Sequence, residues 1–129
     1  MRSVSMRSLL LHFRALLMWL LMMETVNRPL TLPDRLADEQ NVYHLFPILV
    51  GGGRRDALHN YLAERGIGTV IHYPIPPHKQ ECYAHERWNM PQLQLPVTER
   101  IAAEELSLPI GPAITVKEAE SVVNCINGF

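Results

Sequence analysis

Apolar and polar positions divide the chain into three regimes. After a basic start at Arg2 and Arg7, the stretch from Leu9 to Met23 is rich in Leu and Met. From Asn27 to Gln40 the chain is polar and turn-prone, with Pro29 and Pro33, and reads as a linker. From Asn41 onward apolar residues recur at strand or helix spacing. The pattern predicts an apolar N-terminal helix over 1–26, a linker over 27–40 and a folded domain over 41–129.

Within the folded part, Asn41 to Val50 is β-prone and predicts a strand that Pro47 places at an edge or a bulge. Val42, His44, Phe46 and Ile48 share one face of it, and Tyr43, Leu45 and Leu49 the other. Gly51 to Gly53 is a turn. Arg54 to Arg65 carries Leu58, Tyr61 and Leu62 at helical spacing, with Asp56 in the first turn and Gly66 suited to the position just past the end. Gly68 to Tyr73 is β-branched and predicts a second strand. A helical crossover makes the two strands parallel if they are neighbours; a third strand between them is equally allowed. Lys79 to Arg87 predicts a short helix, Trp88 to Leu95 an irregular stretch, Pro96 to Glu105 a helix and Leu106 to Pro109 a short extended piece. Thr115 and Glu118 form a capping box, opening a helix that puts Ala119, Val122, Val123 and Ile126 on one stripe and ends at Gly128. The fold class is α+β or a small α/β layer, with a few strands covered by helices.

Pro74, Pro76 and Pro77 hold the backbone extended after Tyr73 and forbid a ladder there. Titratable side chains thus stand where a strand stops and a stiff loop begins, a common setting for binding groups. His72 reads equally as a ligand contact or a structural residue. Tyr73 lies on the opposite strand face, so the two meet one small ligand only if the loop twists. His78 reads equally as a donor to phosphate or as the cap of the next helix. His44, inside a strand, fits a packed histidine with one satisfied nitrogen. His59 and His85 fall on predicted helices and read as solvated. The spacing of His72, His78 and His85 matches no zinc pattern, and Gly51 to Gly53 matches no phosphate-binding motif.

The 129 residues suffice for one domain with a modest core. A net charge of -1 lacks the basic excess of a general nucleic-acid binder. Cys82 and Cys125 lie far apart in no metal or redox spacing, which fits a reduced, cytoplasmic setting and leaves one disulfide open. The apolar start resembles a secretory signal, but His12 and Arg14 interrupt it and no small-residue cleavage site follows. Ala15 to Met23 is shorter than the roughly 20 residues of a membrane span. A helix whose apolar face needs a partner surface fits better, with a membrane-surface helix as a third option.

His44-Leu-Phe46, Arg55-Asp-Ala-Leu58, Gly66-Ile67, the run Ile71 to Gln80 (Ile-His-Tyr-Pro-Ile-Pro-Pro-His-Lys-Gln) and Leu106-Ser-Leu-Pro109 follow one another in a telling order. Together they resemble the C-terminal small domain of the DegT/DnrJ/StrS sugar-nucleotide aminotransferases, over about Leu30 to Phe129. The proline-rich run is most similar to members that aminate dTDP-3-keto-6-deoxyhexoses. The resemblance implies the small domain of the aspartate-aminotransferase fold and pyridoxal phosphate as cofactor of the intact enzyme. It also implies a part in making amino sugars for polysaccharide or lipopolysaccharide. Members hold the cofactor through a Schiff-base lysine in a large N-terminal domain. Lys79 and Lys117 are the two lysines here, and neither resembles it. The chain is therefore expected to be a fragment or truncated form, binding no cofactor and inactive alone, and prone to self-association.

By resemblance, His72 and Tyr73 approach the sugar-nucleotide side of the cleft, His78 and Lys79 face the diphosphate, and His44 supports the same wall. The implied partners are a sugar nucleotide and a second copy or a large domain, without nucleic acid or a membrane span. A non-catalytic module that pairs with a full-length aminotransferase, and a secreted small protein, are the competing readings.

Overall fold

The computed structural model of the chain describes residues 30–33, 44–83, 93–111 and 113–129. The expected N-terminal helix over 1–26, most of the expected linker, residues 41–43 of the first expected strand, and His85 lie outside the described residues.

Among the described residues the sheet has three strands in the order β1 (Leu30–Thr31), β2 (Phe46–Val50) and β3 (Glu105–Leu108), each pair antiparallel. Two residues read as linker, Leu30 and Thr31, thus pair with Val50 and Leu49. In β2, Phe46, Ile48 and Val50 are buried and alternate with half-buried Pro47 and Leu49. On β3, Leu106 and Leu108 face the same way as Phe46 and Ile48, with which they are in register. Glu105 and Ser107 therefore share the opposite face with Leu49 and Pro47.

The helices are α1 (Arg55–Ala63), α2 (Pro96–Glu104) and α3 (Val116–Gly128). Leu58 and Leu62 of α1 and Ala119, Val122, Val123 and Ile126 of α3 join the apolar sheet face in one core. Fully burying each large apolar side chain stabilises by about 1.5–3 kcal/mol. The capping box forms as expected: Thr115 Oγ1 accepts from Glu118 N–H at 3.3 Å, and Thr115 N–H donates to Glu118 Oε2 at 2.7 Å. Gly66, at φ +73°, closes α1. Its N–H donates to Ala63 O and that of Ile67 to Leu62 O, both at 3.0 Å, the paired bonds of a Schellman ending.

The stretch Gly68 to Tyr73 departs from expectation. Among the described residues its backbone pairs with the sheet backbone only at Val70, which exchanges hydrogen bonds of 3.1 and 2.8 Å with Ser107. This bridge is antiparallel, as is the β2–β3 pair, so the Val70 stretch runs parallel to β2 with β3 between them. Of the two arrangements a crossover permits, the chain adopts the one with a third strand inserted. The bridge also explains Pro47. Ser107 gives both its N–H and its C=O to Val70, so its pairing with Pro47 is of the non-hydrogen-bonded kind. The N–H that proline lacks would point away from β3, to the side where β1 ends at Leu49.

Two further expectations change. The strand predicted over 41–50 begins at Phe46, and His44 sits exposed in a bend before it. Of the helix predicted over Lys79 to Arg87, residues 84–87 lie outside the described residues, and the part up to Tyr83 forms tight 3₁₀ turns instead, Pro77–Lys79 and Glu81–Tyr83. Gln80 between them is extended, with ψ 144°, which no continuous helix permits.

Candidate functional site

Two polar clusters flank the proline loop. The first begins on the sheet face opposite the core. Glu105 and Ser107 are 5% and 4% exposed. Ser107 Oγ–H donates to Glu105 Oε1 at 2.6 Å, and the backbone N–H of His72 donates to Glu105 Oε2 at 2.6 Å. His72 Nδ1 lies 2.9 Å from Ser107 Oγ and 3.9 Å from Glu105 Oε1. A buried carboxylate and hydroxyl thus hold both the backbone and the ring of a half-buried histidine. The β3 backbone is the platform, because strand alternation aims residues 105 and 107 at the same side.

The chain turns sharply after His72. Tyr73 has φ +48°, the left-handed region that a residue with a Cβ rarely enters. Pro74 follows at once and restricts the backbone further. The turn brings the Tyr73 ring edge-on to the His72 ring, with centroids 6.2 Å apart, and leaves Tyr73 70% exposed. A strict strand would have sent the two rings to opposite faces. The loop does twist, so the two rings meet edge to face instead.

The second cluster is built on Glu99 in the first turns of α2. Its Oε2 accepts from Lys79 Nζ at 2.6 Å, and its Oε1 lies 3.1 Å from His78 Nε2 and 3.3 Å from the donating Leu95 N–H. These donors, Lys79 first, then His78 and the Leu95 amide, hold the Glu99 carboxyl down at about 2, against the ordinary 4.5. His78 is 2% exposed, and its Nδ1 has no hydrogen-bond partner. The cluster therefore pins the far end of the proline loop to the start of α2.

The five residues singled out in the sequence are thus dispersed. His72 and Tyr73 are adjacent, and His78 and Lys79 share Glu99. His44 makes no hydrogen bond or ring contact with any of them among the described residues. His59, expected to be solvated, is half-buried with Nδ1 2.7 Å from Thr69 Oγ1. Cys82 and Cys125 are free thiols. Sequence reasoning missed Glu105, Ser107 and Glu99. For the first two a signal existed: Glu105-Leu-Ser-Leu108 alternates polar and apolar, as a strand with one polar face does. Arg55 was also missed as a structural residue. Its Nη1 donates to the carbonyls of Ala102 and Glu105 at 3.1 and 3.3 Å, closing the C-terminal end of α2.

Among the described residues no group of three or more His, Cys, Asp or Glu is placed to hold a metal ion, and no helix is long and apolar enough to cross a membrane.

The chain is 42% identical over 108 residues to the dTDP-3-amino-3,6-dideoxy-alpha-D-galactopyranose transaminase of Aneurinibacillus thermoaerophilus, covering 83% of this chain and 28% of that protein. It is 40% identical over 95 residues to the dTDP-3-amino-3,4,6-trideoxy-alpha-D-glucose transaminase of Streptomyces venezuelae, covering 74% of this chain and 24% of the relative. Among solved structures, S. venezuelae DesV in complex with a ketimine intermediate superposes with a TM-score of 0.75 at 35% identity, over 89% of this chain and 30% of that one. Bacillus subtilis NtdA with bound PMP gives 0.77 at 29% identity, over 92% and 27%. The chain thus spans less than a third of the length of these relatives. These neighbours are pyridoxal-phosphate aminotransferases, whose small-domain fold the α+β layer shares. The family pattern matches residues 17–127, beginning inside the apolar stretch that was expected to lie outside it. The chain belongs to the DegT/DnrJ/EryC1/StrS aminotransferase family.

Proposed function

We propose that this chain supplies the C-terminal wall of the substrate cleft of a sugar-nucleotide transaminase, and that His72 and Tyr73 are the residues that meet the sugar nucleotide. The observation that carries this is the pair of adjacent rings on a strained, exposed turn, held from behind by buried Glu105 and Ser107. Strain kept at an exposed polar turn is typical of sites that serve binding. The substrate class follows from the relatives, whose names specify dTDP-linked amino-deoxy sugars. Polysaccharide or lipopolysaccharide assembly is one destination for such sugars, and a cytoplasmic setting suits a nucleotide-linked substrate.

His78 and Lys79 take a different part from His72. His78 Nε2 and Lys79 Nζ are both tied to Glu99, so their contribution to a diphosphate site is to hold the loop that carries it, with Lys79 exposed enough to add positive charge. His44, exposed before β2, is the outlying member of the wall.

The lysines present do not fit pyridoxal phosphate. A lysine that captures an aldehyde needs an unpaired amine in a desolvated pocket. Lys79 Nζ is ion-paired at 2.6 Å, and Lys117 is exposed in the first turn of α3. The cofactor is therefore held by residues outside this chain, on a large domain or a second subunit that this domain closes against, and the chain alone is inactive. Pairing with a full-length aminotransferase as a non-catalytic module uses the same surface.

A graft tests the proposal. The matching segment of the A. thermoaerophilus transaminase is replaced by residues 17–127 of this chain, and transamination is assayed. The graft is expected to keep activity, and His72→Ala within it to raise KM for the sugar nucleotide about tenfold, equivalent to about 1.4 kcal/mol. An active graft in which His72→Ala leaves KM and kcat unchanged would remove His72 from the site.

A further inference from the structure

We infer that Glu105 and Ser107 are positioning residues that fix the neutral His72 ring with its proton on Nδ1, so that Nε2 is the nitrogen offered to a ligand, as an acceptor of hydrogen bonds. This deepens the proposed role of His72 and rests on it for its purpose, though not for its test.

Counting protons leads to the assignment. The Glu105 carboxylate accepts twice, from the His72 backbone N–H at Oε2 and from Ser107 at Oε1, each at 2.6 Å. Ser107 has one proton and gives it to Glu105, so its oxygen remains as an acceptor. The atom 2.9 Å away is His72 Nδ1. Two lone pairs facing each other at that distance, with Ser107 buried, would leave both groups unsatisfied, so Nδ1 carries the hydrogen. No other residue of the described chain hydrogen-bonds the ring, and Nε2 is left without a partner on a half-buried side chain. The charged or titratable groups near the ring are Glu105 from β3 and Tyr73 from its own loop. The reverse arrangement needs a protonated Glu105 donating to Ser107 and Ser107 donating to Nδ1, which puts the ring proton on Nε2. The reverse arrangement carries one proton more, on Glu105, and the position of the ring proton on His72 tells the two apart.

Long-range ¹H–¹⁵N correlation of the histidine rings in the full chain, at a pH where their titration is complete, distinguishes them. The expected His72 pattern is a pyrrole-type Nδ1 and a pyridine-type Nε2. Ser107→Ala should then cut the ratio of Nδ1–H to Nε2–H forms by about fivefold or more, through loss of one hydrogen bond. Ser107→Thr, which keeps the hydroxyl, should restore it. A wild-type ring protonated on Nε2 overturns the inference without any variant, so a misfolded variant cannot protect it. An unchanged ratio in folded Ser107→Ala overturns it as well. The spectrum is independent of the graft assay: a correct tautomer beside an unaltered KM would sink the substrate role of His72 and leave this assignment standing.

Discussion

Tyr73 shows how one residue can trade stability for placement. Its φ of +48° stores strain of order 1–2 kcal/mol, while the residue, 70% exposed, contributes little burial in return. What the strain achieves is the placing of two rings on one side of the loop. Glycine enters this region of backbone space freely and alanine does not. Tyr73→Gly should therefore be more stable than Tyr73→Ala by about 1 kcal/mol in urea denaturation, the reverse of the usual order of these residues in regular structure. An alanine variant as stable as the glycine variant would mean that the turn is not strained. The strain itself was not legible in the sequence. His72 and Tyr73 followed by prolines mark a special loop, but nothing local to them reports the buried carboxylate, more than thirty positions downstream, that fixes the backbone of His72.

At the scale of elements, local signals were reliable and non-local ones were not. The capping box at Thr115, the stripe of α3 and the glycine ending of α1 each depend on residues within one turn of each other, and all three appear as the sequence implied. The β-branched run at Gly68 to Tyr73 failed as a strand because its one β-bridge partner among the described residues, Ser107, lies far along the chain, and because the left-handed turn at Tyr73 ends the pairing. Whether β2 and that run would be neighbours depended on β3, which is inserted from 35 residues further on. The described start of the expected helix after the proline loop, up to Tyr83, departs from a helix for a similar reason. Glu99, on another element, draws His78 and Lys79 into a clasp and fixes the loop as short turns.

That clasp has a pH dependence whose sign is fixed. The Glu99 carboxyl in the folded chain sits at about 2, below its ordinary 4.5, so its contribution is fully present above 4.5 and is lost as pH falls through about 2. Glu99→Gln should flatten the fall in stability between pH 4.5 and 2, as followed by urea midpoints. Because Lys79 and Glu99 are partly exposed, the difference should shrink in high salt. An acid limb identical to wild type would show that the three donors do not hold the carboxylate in solution.

Seen as a whole molecule, the chain is a sheet with two unlike faces. One face carries the apolar core under α1 and α3. The other carries Glu105 and Ser107, which support His72. The α+β class and the family were legible in the sequence because the motif order survives without long-range knowledge. The distribution of roles was not, since Glu99, Glu105 and Ser107 acquire theirs only through tertiary contact. In the proposed division of labour, these residues shape a cleft and the aldehyde of the cofactor is captured elsewhere. Borohydride reduction of the purified chain after mixing with pyridoxal phosphate, read by intact mass, tests it most directly. The expected result is no stoichiometric adduct, with at most scattered surface labelling. One reduced cofactor per chain, mapped to Lys79 or Lys117, would contradict it.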